Sequence, residues 1–152
     1  MGRGGGRENL RGQNRRAHGR AVRILDTDTC IEILRGNRTV IERRAAVLDV
    51  VVTTWVTAAE LYFGAAVSKA PDGNRTVVDD FLQSTAAIDM DFRAARTFGE
   101  IKALLQRRGE MVPDADLLIG AIALARAATL ITGNSRHFAR MPGLQCEDWI
   151  HP

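Results

Sequence analysis

Ala21-Val22-Arg23-Ile24-Leu25-Asp26-Thr27-Asp28 decides how the chain folds. A short aliphatic run reads as a strand. It ends directly on an acid, and Thr27 or Asp28 then caps a helix running to Leu34 and stopped at Gly36. Working outward, the same strand-to-helix step recurs. A second helix covers Arg38–Leu48. Asp49-Val50-Val51-Val52-Thr53 is a β-branched strand candidate, and Thr54 caps a helix reaching about Ser68. Trp55, Ala58, Ala59, Tyr62, Phe63 and Ala66 lie at helical spacing, which predicts that this helix is mostly buried. Pro71 and Gly73 mark a turn before a helix over Arg75–Ser84, and Ala86–Ile88 reads as a short strand. Asp91 opens a helix that ends at Gly109. Pro113 precedes another, Asp114–Ala127, which is apolar almost all round and therefore central. Thr129–Thr132 is a strand, Gly133-Asn134 a turn, and Leu144–Glu147 a short last strand. Strands separated by helices require right-handed crossovers. The expected fold is therefore α/β, a three-layer α/β/α sandwich around a mainly parallel sheet of four to five strands.

The chain has 152 residues, enough for one domain with one core, expected over 21–152. Its formal charge of +3 is uneven: seven arginines and a single acid, Glu8, fall in residues 1–23, so the rest is net acidic. Residues 1–20 are Gly- and Arg-rich and nearly free of apolar side chains, so they are expected to be disordered. Such a tail either touches nucleic acid through its charge or is an upstream extension with no role. The longest apolar stretch, within Leu117–Ile131, is broken by Gly120 and Arg126 and is too short to span a bilayer, so no membrane association is expected. No apolar signal segment opens the sequence. Cys30 and Cys146 have no metal-ligand spacing and are expected to be buried thiols in a reducing cytoplasm.

Acids at the edges of apolar runs are the chemical signal. Asp26 follows the first strand. Glu60 sits among Ala59, Leu61, Tyr62 and Phe63, and Asp116 precedes Leu117-Leu118-Ile119. A carboxylate in apolar surroundings is costly unless paired or metal-bound. Several acids without histidine or cysteine suit a hard, oxygen-seeking cation such as Mg²⁺, and hence chemistry on phosphates. Asp26, Asp28 and Asp114 also stand at helix starts, where plain capping would explain each of them. His137 and His151 have no partner nearby in sequence. Trp55 and Trp149 read as core or edge packing.

At these residues the chain resembles the PIN-domain ribonucleases, and more narrowly the VapC-type toxins of bacterial toxin–antitoxin pairs. The likeness runs from about Ile24 to Trp149 in family order. It begins with Leu25-Asp26-Thr27-Asp28, where the family usually has Asn in place of Asp28. Ala59-Glu60-Leu61-Tyr62-Phe63-Gly64-Ala65 follows, then Arg108-Gly109, then Asp116-Leu117-Leu118-Ile119-Gly120-Ala121 with Ala123-Leu124. It closes with Thr132-Gly133-Asn134-Ser135-Arg136-His137-Phe138, Pro142-Gly143-Leu144 and Glu147-Asp148-Trp149. The resemblance implies that Asp26, Glu60 and Asp116 are the catalytic acids and hold Mg²⁺ or Mn²⁺. Asp114, Asn134 and Asp28 would be accessory, Asn134 standing where some members carry a fourth acid. Arg136 and Arg140 would contact the RNA backbone. The implied reaction is hydrolysis of an RNA phosphodiester by a metal-activated water, leaving a 5′-phosphate and a 3′-hydroxyl. A small antitoxin covering the acidic groove and a homodimer are likewise implied.

Two other readings fit parts of the sequence. Asp26-Thr27-Asp28-Thr29 after a strand also matches the opening of haloacid-dehalogenase-type phosphatases, with Asp26 as nucleophile and Asp28 as acid/base. That scheme needs Thr53 or Thr54, a lysine from Lys69 or Lys102, and Asp114 with Asp116, and it leaves Glu60 without a task. The third reading is a non-catalytic PIN-like binding module whose acids only hold structure.

Overall fold

The computed structural model describes residues 19–151. The expected disorder over 1–20 therefore falls almost wholly outside the described residues. Five strands, β1 (Val22–Leu25), β2 (Val50–Thr54), β3 (Ala87–Ile88), β4 (Thr129–Ile131) and β5 (Gln145–Glu147), form one sheet in the order β3-β2-β1-β4-β5. Every pairing is parallel, and β1 lies at the centre, with Ile24 opposite Val52 on one side and Leu130 on the other.

Seven helices connect them: α1 (Thr27–Leu34), α2 (Arg38–Ala46), α3 (Trp55–Ala66), α4 (Pro71–Ser84), α5 (Phe92–Arg108), α6 (Asp114–Ala125) and α7 (Ser135–Phe138). Alternation along the strands divides the interior into two cores. Ile24, Val52 and Leu130 face Ala94, Ile101 and Leu105 of α5 and Leu117, Ile119 and Ile122 of α6. Leu25, Val51 and Ile131 face Cys30, Val40, Leu61, Ala65, Val78 and Phe81 of α1–α4, together with Trp149. A period of two puts successive strand residues on opposite faces, so a sheet with two apolar faces must be covered on both. This is the expected three-layer α/β/α sandwich, with five strands. Arg23 lies between Val22 and Ile24 on β1. Its Nε donates to Asp49 at 2.6 Å, it also pairs with Glu147, and its guanidinium stacks 6.0 Å from the Trp149 ring.

The helix stops follow sequence. Gly36 and Gly109 end α1 and α5 in the left-handed region, at φ 81° and 67°, where a glycine carries no steric penalty. Four expectations need correction. The cap of α1 is Asp26 rather than Thr27 or Asp28, because its Oδ1 accepts the Thr27 N–H at 2.8 Å. The turn at Pro71 is the first turn of α4, which suits proline because an N1 nitrogen needs no partner. The helix α3 turns a different face inward. Thr57, Ala58, Leu61 and Ala65 are buried, whereas Ala59, Glu60, Phe63 and Ala66 are exposed and Trp55 is 57% exposed. A helix rich in apolar residues on all sides does not announce its core face. Packing against α1 and α4 sets its rotation, and the Thr54 hydroxyl caps the Thr57 N–H at 3.2 Å where the chain enters from β2. Trp149, in contrast, is 1% exposed and is a core residue. Cys30 is buried but Cys146, on the edge strand β5, is exposed.

The sheet order decides where a site can form. From β1 the chain moves outward to β2 and β3, then crosses back to β4 and β5 on the other side. The crevice between the carboxyl ends of β1 and β4 is therefore the topological switch point, where ligands of open parallel sheets bind. Asp26 follows β1 there, and Thr132-Gly133-Asn134 follows β4.

Candidate active site at the sheet switch point

Asp26 is 4% exposed, and both its oxygens are engaged: Oδ1 by the Thr27 N–H and Oδ2 by the Thr132 hydroxyl at 2.7 Å. Burial, and then the charge of Asp28, push its carboxyl up to about 7, with the Asp116 charge adding in the same sense. The two hydrogen bonds pull the other way without prevailing. The Asp116 carboxylate therefore lies within electrostatic reach of Asp26.

Glu60 joins from α3. The Thr27 hydroxyl donates to its Oε1 at 2.8 Å and contacts the Thr57 hydroxyl at 3.1 Å. Glu60 is exposed, which corrects the expectation of a carboxylate buried in the helix interior. It sits at the rim, accessible to solvent and to a ligand. Asp116, in the first turn of α6, has a side chain 20% exposed, and its Oδ2 lies 2.6 Å from Nδ1 of His137. His137 Nδ1 also lies 2.8 Å from the amide of Asn134, and the Asn134 N–H donates to the Thr132 hydroxyl at 2.9 Å. One continuous chain of contacts thus runs from Glu60 through Thr27, Asp26, Thr132, Asn134 and His137 to Asp116.

The accessory candidates separate. Asp28 is drawn into structure: Oδ1 accepts the N–H of Thr29 at 2.6 Å, and Oδ2 accepts the N–H of Gly133 at 2.9 Å. It ties the start of α1 to the loop after β4, and burial pushes its carboxyl above the usual range. Gly133 suits this approach, since a Cβ there would crowd the Ile150 Cδ1 at 2.9 Å and Asp28 Oδ2 at 3.1 Å. Asp114 stands apart. Its carboxylate is 61% exposed and takes both bonds from Lys102 Nζ, at 2.8 and 3.0 Å, so it braces α6 against α5. Arg140 is anchored by Nη1 on the carbonyl of Met111 at 3.0 Å, while Arg136 is exposed on α7.

His137 is the residue that sequence reading missed. Asn134 and His137 are three apart across one turn, and that spacing after a strand was the available signal. Thr27 and Thr132 were missed as carboxylate partners for a different reason: their contacts join segments distant in sequence, Thr27 to Glu60 at a separation of 33 residues and Thr132 to Asp26 at 106.

Among the described residues, no Lys or Arg pairs with Asp26, Asp28 or Glu60. Nor do three Asp, Glu, His or Cys side chains gather there into a ready metal cage. The acids are linked through hydroxyls and an imidazole instead of being packed together. That arrangement fits Mg²⁺ or Mn²⁺, because Mg²⁺ is characteristically held by one or two carboxylates and keeps several waters. It does not fit the phosphatase scheme. Thr53 is spent on the carbonyl of Leu25 at 2.8 Å, Thr54 caps α3, and Lys102 is held by Asp114.

Acids strung along the switch point of such a parallel sheet match a PIN-type nuclease fold, and comparison with known proteins agrees. Residues 23–144 match the model of the PIN domain, so the chain belongs to the PIN-domain family. Within the family its relatives are VapC proteins. The tRNA(fMet)-specific endonuclease VapC of Salmonella typhimurium is 35% identical over 127 residues, 83% of this chain and 96% of that protein. Ribonuclease VapC2 of Haemophilus influenzae is 37% identical over 95 residues, 62% of this chain and 72% of that protein. Among solved structures, DNA-bound VapBC from Salmonella typhimurium superposes with a TM-score of 0.79 at 34% identity, over 85% of this chain and 98% of that one. VapBC2 from Rickettsia felis, bound to a DNA fragment from its promoter, gives 0.80 at 27% identity, over 84% and 98%.

Proposed function

We propose that this chain is a divalent-metal-dependent endoribonuclease and the toxin of a VapBC-type toxin–antitoxin pair. One observation carries the reading: Asp26, Glu60 and Asp116, which no lysine or arginine neutralises, are joined by one chain of hydrogen-bonded contacts along the β1–β4 switch point of a chain whose relatives are named ribonucleases. Asp26 and Asp116 would hold Mg²⁺, or Mn²⁺ in its place. Once bound, such an ion lowers the pKa of its water and offsets charge on the phosphate. Glu60, solvent-facing and steadied by Thr27, is placed to orient an attacking water and accept its proton. Asp28 holds the loop that carries Thr132 and Asn134 and takes no part in binding the ion. Arg136 is the better placed arginine for the RNA backbone, because Arg140 is committed to Met111.

A groove of about 340 Å³ opens beside Glu60, lined by Ile31, Leu34, Leu61, Val77 and Val78. It would give an antitoxin segment a largely apolar seat beside Glu60. Phe92 at 97% exposure, Phe63 at 70% and Trp55 at 57% are large apolar side chains left uncovered. Such patches favour association, here a homodimer. No helix among the described residues is long and apolar enough to cross a membrane. A toxin acting on cellular RNA works in the cytoplasm.

The test is induction of the wild-type chain and of Asp116→Ala, with mapping of cleaved RNA 5′ ends across tRNA, rRNA and mRNA. Growth arrest with discrete cuts, both absent from the variant, supports the reading. Arrest that persists in Asp116→Ala contradicts it.

A further inference from the structure

We propose that His137 is a positioning residue that presents the Asp116 carboxylate to the metal ion; this rests on the metal-dependent reading above. An ion on Asp116 would fix the proton. A metal-binding carboxylate is ionised and only accepts, so the 2.6 Å contact with Asp116 Oδ2 requires Nδ1 of His137 to be N–H. A ring nitrogen that carries its proton cannot also accept from an amide nitrogen. The Asn134 amide, 2.8 Å away, therefore turns its oxygen to Nδ1, a half-rotation that exchanges two nearly isosteric atoms. The N–H is shared between the two oxygens. Asp116 Oδ2 is held, and Oδ1 is left for the ion.

The mount is rigid. Phe138, the next residue, is 1% exposed in the core, and the Ala139 N–H closes the turn of α7 onto Ser135 at 2.8 Å. The same loop begins at Thr132, whose hydroxyl donates to Asp26 Oδ2. One short segment after β4 thus fixes a carboxylate oxygen of each proposed ligand, Asp26 from β1 and Asp116 from α6. Neither acid is neighbour to the other in sequence, so their relative placement depends on this segment. Partners behind metal ligands typically tune affinity ten- to a hundred-fold, by removing rotamers that do not bind.

Three variants of the full chain separate the possibilities. In His137→Asn the amide nitrogen falls near the position of Nδ1 and can still donate to Asp116. In His137→Gln it falls one bond further out. His137→Leu has no donor. Mn²⁺ affinity is read by electron paramagnetic resonance at fixed pH, with thermal melts to confirm folding. The expectation is that Leu and Gln weaken Mn²⁺ binding by about ten-fold or more, whereas Asn stays within about three-fold of wild type. RNA cleavage at saturating Mn²⁺ should recover in all three, which also excludes proton transfer by the imidazole, since neither an amide nor an alkyl side chain can take a proton. Leu or Gln binding Mn²⁺ as tightly as wild type overturns the proposal. Tighter binding by Leu does so as well, and would mean that His137 competes with the ion for Asp116. A wild-type chain that binds no Mn²⁺, or binds it no better than Asp116→Ala, overturns the metal reading itself and this proposal with it.

Discussion

Asp26 does two jobs with one carboxylate: it caps α1 and it faces the switch-point crevice. The combination has a measurable consequence in the metal-free protein. Between the ordinary aspartate value and about 7, folded Asp26 keeps a proton that the unfolded chain has already lost. Folding stability therefore falls as pH rises through that window and levels off above it. Chemical denaturation in EDTA should show a more stable protein at pH 5 than at pH 8, with the difference shrinking in Asp26→Asn. Added Mg²⁺ should reverse part of the loss at pH 8, because an ion favours the charged form. Glu60→Gln keeps the contact to Thr27 but cannot accept a proton, and should lower kcat by about 100-fold or more while leaving melting unchanged. Gly133→Ala tests the close approach to Asp28. The added methyl crowds Ile150 and the carboxylate, and should cost about 1–3 kcal/mol in urea unfolding.

At the scale of elements, α3 shows what a sequence can and cannot reveal. Its start was legible, because Thr54 closes a β-branched run and caps the next helix. Replacing Thr54 by Ala should destabilise the fold by about 1 kcal/mol, measurable by denaturant melts. Its rotation was not legible, because Trp55, Phe63 and Leu61 offer apolar surface in every direction and only packing against α1 and α4 chooses among them. That is why Glu60 was expected inside and stands at the rim. The helix α6 had no such ambiguity, since a segment apolar on all sides has no exposed face to misassign, and Leu117 and Ile119–Ala123 are buried as expected. The short helix α7 escaped notice because Ser135–Phe138 is a single turn, too brief for any periodicity. Asp114 illustrates a local limit: the sequence separates it from Asp116 as the accessory acid but does not show its partner, Lys102 on α5, while Asp116 meets His137. Asp114→Asn should leave RNA cleavage at the wild-type rate, and a loss comparable to that of Asp116→Asn would contradict this division.

Over the whole molecule, the sheet order is what sets Asp26, after β1, beside the Thr132-Gly133-Asn134 loop after β4. Alternation of strand and helix revealed the α/β class and the parallel sheet, but local sequence does not contain the order β3-β2-β1-β4-β5; it follows from crossovers that move outward from β1 and then return past it. The spacing of the acids along the chain acquires meaning only through that return. The exposed aromatic residues on α3 and at the start of α5 predict that sedimentation of the purified chain gives twice the monomer mass. The central claim, metal-dependent RNA hydrolysis at the β1–β4 crevice, is tested most directly with purified protein on a total RNA substrate, comparing EDTA with restored Mg²⁺ for wild type, Asp26→Asn and Asp116→Asn. Cleavage by the wild type alone, abolished by EDTA and recovered with Mg²⁺, is the predicted result; cleavage that survives EDTA, or that either variant retains at the wild-type rate, would contradict it.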